Sequence, residues 1–262
     1  DTMLRVSPRT SQLLYPVLAK AMVNPDSWPA YRKYFESPPQ WFTSFVRFVI
    51  RDKDAVAPAV MIMSTGNRLP DSKLYNALEG EALGSLFQRG NFAEAARFMA
   101  AIGGGPKVGR SVSFSKYNRD TRFGPFAWRP SSDASVGGGF ESQPGGAAPA
   151  YRASATTVSS GVVLSKSLVL ADGTYELRAP YSFVEGDGTS QVRWRGLCSD
   201  GQTLFDRELP NTKAARTARI AFNVSDQCGG QTIQLIVTGG DTYPGVEVII
   251  LEPSLRSVQT GG

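Results

Sequence analysis

The 262-residue sequence predicts an α+β protein: N-terminal helical hairpins followed by an antiparallel β-sandwich of jelly-roll-like type. Three observations carry this. Up to about Ile102 the apolar residues recur at helical spacings. From Gly103 onward they alternate or fall in short runs, and Gly, Ser and Thr become frequent at the same point. Helices first and strands afterwards is the order of two separate layers or domains, so the expected division is a helical module at 1–103 and a sandwich at 104–262. An apolar content of 41% against 19% charged residues supplies enough core for both.

In the first part, residues 11–23 place Leu14, Val17, Leu18 and Ala21 on one helical face, and Asn24-Pro25 ends the run. Ser27-Trp28-Pro29 opens a second element through Tyr34 and Phe35, which Ser37-Pro38-Pro39 breaks. Residues 41–50 follow, apolar but interrupted by Arg47 and far too short to span a membrane. Residues 54–63 read as another helix. Residues 72–88 and 92–102 form a helical pair around Arg89-Gly90-Asn91.

In the second part the expected strands are 110–117, 151–159, 162–169, 173–179, 192–198, 218–224, 231–238 and 246–255. Asp172-Gly173, Asp187-Gly188, Asp200-Gly201, Gly229-Gly230 and Gly239-Gly240 supply turns between most of them. Residues 137–150 are expected to be a long loop. Strands of this number and punctuation make a sandwich or jelly roll.

Composition narrows the chemistry. The chain contains no histidine, which removes imbibed imidazole chemistry altogether: no Ser-His-Asp or Cys-His pair, no imidazole metal site and no histidine general base. Carboxylate chemistry survives, but no acidic pair stands out, and no enzyme activity or cofactor is expected. The net charge of +5 is spread over both parts and gives no nucleic-acid footprint. Gly104-Gly105-Pro106-Lys107-Val108-Gly109-Arg110-Ser111 misses the phosphate-loop pattern, with arginine in place of lysine, and reads as a linker. Glu185, Asp187 and Asp200 are oxygen donors that suit calcium, yet they suit ordinary turns better.

Cys198 and Cys228 are the only cysteines, and neither lies in a CxxC pair. A disulfide closing a loop of ~30 residues is preferred over two separate buried thiols; it would stabilise by ~3–4 kcal/mol. Such a bond places the chain in the periplasm or at the cell surface. Asp1 is neither a methionine nor part of a charged leader, so a signal or membrane anchor is expected to have been removed.

Residues 107–128 interleave Lys107, Arg110, Lys116, Arg119 and Arg122 with Phe114, Tyr117, Phe123, Phe126 and Trp128. They allow an anionic-polymer surface or a core of aromatics beneath a solvated basic face, and the second reading is preferred. Trp194, close to Cys198 on a central strand, is expected in the core. Trp128, Tyr181 and Tyr243 are the candidate platforms for stacking a sugar ring, with Arg122 and Arg129 as neighbouring polar groups. Trp128 has the stronger claim to exposure, because Gly124-Pro125 and Pro130 make its surroundings loop-like.

Two resemblances add to this. Leu83-Gly84 through Gly90, Phe92 and Ala95 resembles about one tetratricopeptide repeat, without the usual first-helix aromatic. Leu170-Ala171-Asp172-Gly173-Thr174-Tyr175-Glu176-Leu177, followed by Val192-Arg193-Trp194-Arg195-Gly196-Leu197-Cys198, resembles the hairpin and tryptophan-cysteine strand of jelly-roll carbohydrate-binding domains. The resemblance implies a bacterial envelope protein that binds or assembles surface polysaccharide or exopolysaccharide. The alternative is a scaffold whose helical part docks an envelope protein. No nucleic-acid partner is implied.

Overall fold

The structure, a computed structural model, describes residues 4, 8–65, 69–146 and 149–258. Its residues gather into two compact units: Asp1–Pro106 with Thr121–Gly124, and Lys107–Asp120 with Pro125–Gly262. The first is helical and the second is an antiparallel β-sandwich, in the α+β order the sequence predicts.

The helical unit contains α1 (Pro8–Met22), α2 (Trp28–Glu36), α3 (Phe42–Arg51), α4 (Val56–Ser64), α5 (Lys73–Gln88) and α6 (Phe92–Ala101); a short helix, α7 (Gly105–Val108), follows. The breaks fall where backbone chemistry demands them. Asn24 accepts the Asp26 amide at 3.1 Å ahead of Pro25, and Ser72 caps α5 by accepting the Tyr75 amide at 3.3 Å. Between α5 and α6, Gly90 takes φ of 76°, a conformation that a Cβ opposes. Ala95, fully buried, lets the two helices close. An aromatic cluster fills the space between α2 and α3, with Phe35 and Phe42 edge to face at 4.9 Å. The segment Thr121–Gly124 lies on α5 at Gly80, where a Cβ would meet the Thr121 carbonyl oxygen at 2.6 Å. Glycine there is required by close backbone approach.

The sandwich is built from β1 (Arg129–Pro130), β2 (Val136–Glu141), β3 (Ala150–Ala155), β4 (Ser160–Leu168), β5 (Gly173–Glu185), β6 (Gln191–Cys198), β7 (Thr203–Glu208), β8 (Arg216–Val224), β9 (Gln231–Thr238), β10 (Val246–Ile250) and β11 (Ser254–Val258). One sheet runs β1-β4-β9-β6-β7. In the other, β3 lies between β2 and β10, and β5 pairs with β8 along one side and with β10 and β11 along the other. Alternation decides the faces: along β6, Val192, Trp194 and Cys198 are buried while Arg193, Arg195 and Leu197 point outward. Trp194 is fully buried, in the core position its sequence context predicts.

Four expected elements differ. Residues 110–117 are irregular rather than a strand: Val112 and Phe114 fill the core while Asn118 holds the segment by side-chain bonds to Ser111 and Ser113. Part of the expected 137–150 loop is β2, whose glycines admit a ring; a Cβ on Gly138 would lie 2.6 Å from the Tyr151 hydroxyl oxygen. The strand expected at 151–159 stops at Ala155. The one expected at 246–255 divides into β10 and β11 around Pro253, with Leu251 donating to the Pro180 carbonyl at 2.9 Å.

Lys166 on β4 also points inward and is fully buried. Its ammonium donates to Asn118 Oδ1 at 3.2 Å and to the Phe126 carbonyl. Burial without a carboxylate partner among these contacts pushes its pKa down from 10.5 to about 7.

Candidate functional site

Strand directions bring the connections 131–135, 156–159, 186–190, 209–215 and 239–245 to one end of the sandwich. Cys198 and the 199–202 turn lie at the other, since Gln191 pairs with Thr238 and Cys198 with Gln231. Asp187 organises the first end. Its Oδ1 accepts from the amide and hydroxyl of Thr189 at 2.9 and 2.8 Å, and from those of Ser190 at 2.9 and 3.0 Å. Its Oδ2 accepts from the amide and hydroxyl of Thr242 at 2.9 and 2.6 Å. The Thr242 and Thr189 hydroxyls, with the backbone and Ser190 donors behind them, hold this carboxyl far below the usual carboxylate range. The Asp187 carboxylate is therefore committed to protein donors. Asp200 caps the Gln202 amide at 2.9 Å in the turn at the far end, so Asp187 and Asp200 both serve turns, as the sequence favours. Among the described residues no group of three acidic or cysteine side chains gathers to hold a metal.

The network fixes the backbone of 239–245, and glycines press that loop against the 155–158 turn. The Val158 amide donates to the Gly240 carbonyl at 3.0 Å. A Cβ at Gly239 would run into the Thr156 carbonyl, and one at Gly245 into the Ala155 carbonyl. Between these anchors Tyr243 stands 92% exposed. Val158, 77% exposed, adopts φ of 53°, a left-handed conformation that costs a β-branched residue roughly 1–3 kcal/mol. A rigid loop end thus presents one aromatic ring and one aliphatic side chain to solvent, with Asp241, Thr242 and Thr156 exposed around them.

Of the five residues predicted to touch ligand, Trp128, Arg129, Tyr181 and Tyr243 belong to the sandwich unit and Arg122 to the helical unit. Trp128 is a correction: it is 3% exposed, not an exposed platform. Its indole nitrogen donates to the Val112 and Ser113 carbonyls at 3.1 and 3.2 Å, and its ring lies 5.7 Å from Phe114 and 6.1 Å from Trp194. The prolines around it mark a segment laid over the sandwich core rather than a loop tip. Tyr181 is a second correction; it points inward from β5 at 2% exposure and donates to the Pro210 carbonyl at 3.2 Å. Arg122 falls in the helical unit, where it pairs with Asp71 and approaches Glu79 at 3.5 Å. Arg129 is exposed on edge strand β1, where it pairs in register with Ser165. Continuing across that sheet, Gln234, Arg195 and Asp206 make a polar outer row, with Arg195 and Asp206 ion-paired at 3.0 Å. Tyr243 alone of the three aromatic candidates is exposed.

Of the 107–128 aromatics, Phe114, Phe123 and Phe126 are buried, while the Tyr117 side chain lies outside the described residues. Lys107, Arg110 and Lys116 are exposed. Val158 was not foreseen; residues 151–159 alternate like a continuous strand, and nothing in them signals a left-handed residue. Cys198 and Cys228 form a disulfide with Cα atoms 5.2 Å apart, tying the end of β6 to the connection between β8 and β9.

The fold and loop end define a class: an antiparallel β-sandwich with a preorganised, aromatic-bearing loop platform, preceded by helices. No family model and no curated protein matches the chain. Among solved structures, a family 61 carbohydrate-binding module in complex with β-1,4-galactotriose matches at 19% identity and a TM-score of 0.38, covering 56% of this chain and 99% of that one. The CBM22-1 xylan-binding domain of Xyn10C from Paenibacillus barcinonensis matches at 15% and 0.37, covering 58% and 94%. A family 4 carbohydrate-binding module matches at 18% and 0.35, covering 52% and 97%. At such identities and TM-scores the likeness carries nothing about ligand or site.

Proposed function

We propose that this chain is a non-catalytic carbohydrate-binding protein of the bacterial envelope, holding a surface polysaccharide or exopolysaccharide at the loop end of its sandwich. The observation that carries the reading is Tyr243, almost wholly exposed on a backbone that Asp187 and three close-packed glycines hold in place. A pyranose ring offers a C–H face that stacks on such an aromatic, and nearby threonine hydroxyls and Asp241 supply partners for sugar hydroxyls. A preorganised loop limits the ordering cost of binding. The disulfide supports a periplasmic or cell-surface location, because such a bond persists in an oxidising compartment. The absence of histidine supports a binding rather than a catalytic role.

The test is a polysaccharide pulldown and glycan array on the oxidised protein, with Tyr243→Ala alongside. Saturable binding that the substitution weakens by roughly two- to twelvefold supports the reading, since stacking of this kind is worth about 0.5–1.5 kcal/mol. Absence of binding to every envelope glycan overturns it.

A second reading, a protein-docking scaffold built on the tetratricopeptide-like helical part, is favoured by one observation. Leu13 and Val17, one turn apart on α1, are 76% and 62% exposed. Crosslinking to an envelope protein that Leu13→Glu with Val17→Glu abolishes would favour it.

A further inference from the structure

Val158 is the least expected side chain at the loop end. A β-branched residue in the left-handed region is strained, and its isopropyl group gains no burial in return, standing 77% exposed. Glycine would satisfy the same backbone without strain. The turn around it is otherwise well fastened: Val158 donates to Gly240, Ser159 donates its amide to the Thr156 carbonyl at 3.1 Å, and the Thr156 and Ser159 hydroxyls lie 3.1 Å apart. The strain is therefore held by its surroundings, and what it achieves is the outward presentation of two methyl groups.

The backbone that carries those methyls is joined to the Tyr243 loop. Gly240 accepts from Val158 three residues before Tyr243, and Gly245 sits against Ala155 two residues after it. Both ends of the Tyr243 loop thus rest on the 155–158 turn. Within residues 239–245 the one charged side chain is the exposed Asp241, while the 209–215 connection at the same end carries the exposed Lys213. Two residues from Tyr243, the Asp241 carboxylate repels uronate, sulfate and phosphate groups on a ring stacked there and favours a neutral sugar.

We infer that Val158 is a specificity-determining residue of the Tyr243 platform, selecting neutral sugars that carry a methyl group. This rests on the carbohydrate-binding reading above. The methyl belongs either to a 6-deoxy ring or to an O-acetyl substituent; both present the same apolar knob to the Val158 methyls while the ring stacks on Tyr243.

The experiment uses the full oxidised chain on a glycan array that carries matched pairs, 6-deoxyhexose against 6-hydroxy oligosaccharides and O-acetylated against saponified polysaccharides. Wild type is compared with Tyr243→Ala and Val158→Gly. The expected result is a preference of roughly fourfold for the methyl-bearing member of a pair, the worth of one buried methyl. Val158→Gly abolishes the preference while binding to the other member persists, and Tyr243→Ala weakens both members. The pair type that shows the preference identifies the source of the methyl. Val158→Gly relieves backbone strain, so loss of folding does not obscure the outcome. Tyr243-dependent binding with equal affinity within every pair, or a preference unchanged in Val158→Gly, overturns this inference and leaves the carbohydrate reading standing. No binding to any glycan overturns both.

Discussion

Replacing Lys166 with methionine removes an amine that the sandwich buries without a carboxylate partner among its hydrogen bonds. The drop in pKa from 10.5 to about 7 corresponds to a penalty of about 5 kcal/mol on the protonated form. Because the folded pKa is depressed, the unfolded chain binds more protons between pH 7 and about 10.5, and stability rises with pH across that window. Below about pH 7 the amine is protonated in both states and the penalty stays constant. Methionine escapes it but withdraws a donor from Asn118 Oδ1 and from the Phe126 carbonyl, a loss of about 1–3 kcal/mol for each. The two proteins are thus close in stability near pH 7, and wild type gains on the variant by about 3–4 kcal/mol by pH 10. Urea unfolding by circular dichroism at intervals from pH 7 to pH 10 measures this. The sandwich transition is the one that moves when the disulfide is reduced. Burial also raises the pKa of Tyr15, Tyr31, Tyr151 and Tyr181, which lowers stability as pH climbs past 10, but this acts on both proteins and cancels in their difference. A difference that stays flat with pH would refute the argument.

Two further substitutions separate packing from binding. Trp128→Ala should destabilise the sandwich by about 3–5 kcal/mol, measured by urea unfolding, while the fraction that remains folded binds glycan as wild type does. Cys198→Ser with Cys228→Ser should cost about 3–4 kcal/mol in the same assay, and reduction of the wild-type disulfide should lower its stability to a similar extent.

The sequence by itself determined the order of helices before an antiparallel sandwich, most strand positions and the core role of Trp194. Those rest on period and punctuation, which local chemistry enforces: Val192-Arg193-Trp194-Arg195 can only alternate across a sheet, and Gly90 can only be a turn. It also named Tyr243, because Asp241-Thr242-Tyr243-Pro244-Gly245 is turn chemistry carrying an aromatic. Tertiary structure decided what no local pattern encodes. Trp128 and Tyr243 both sit beside prolines and glycines, yet one is covered by Phe114 and Trp194 while the other meets only solvent. β2 became a strand because β3 offered it partners and Tyr151 needed the space over Gly138, although its own glycines favour a loop. Arg122 left the sandwich for Asp71 and Glu79, which lie more than forty residues earlier in the chain. Asp187 became the hub of the loop end because Thr242, distant in sequence, supplies two of its donors. Burial, and the company of residues far apart in the chain, are properties of the folded whole; a sequence window records only what each residue can do alone.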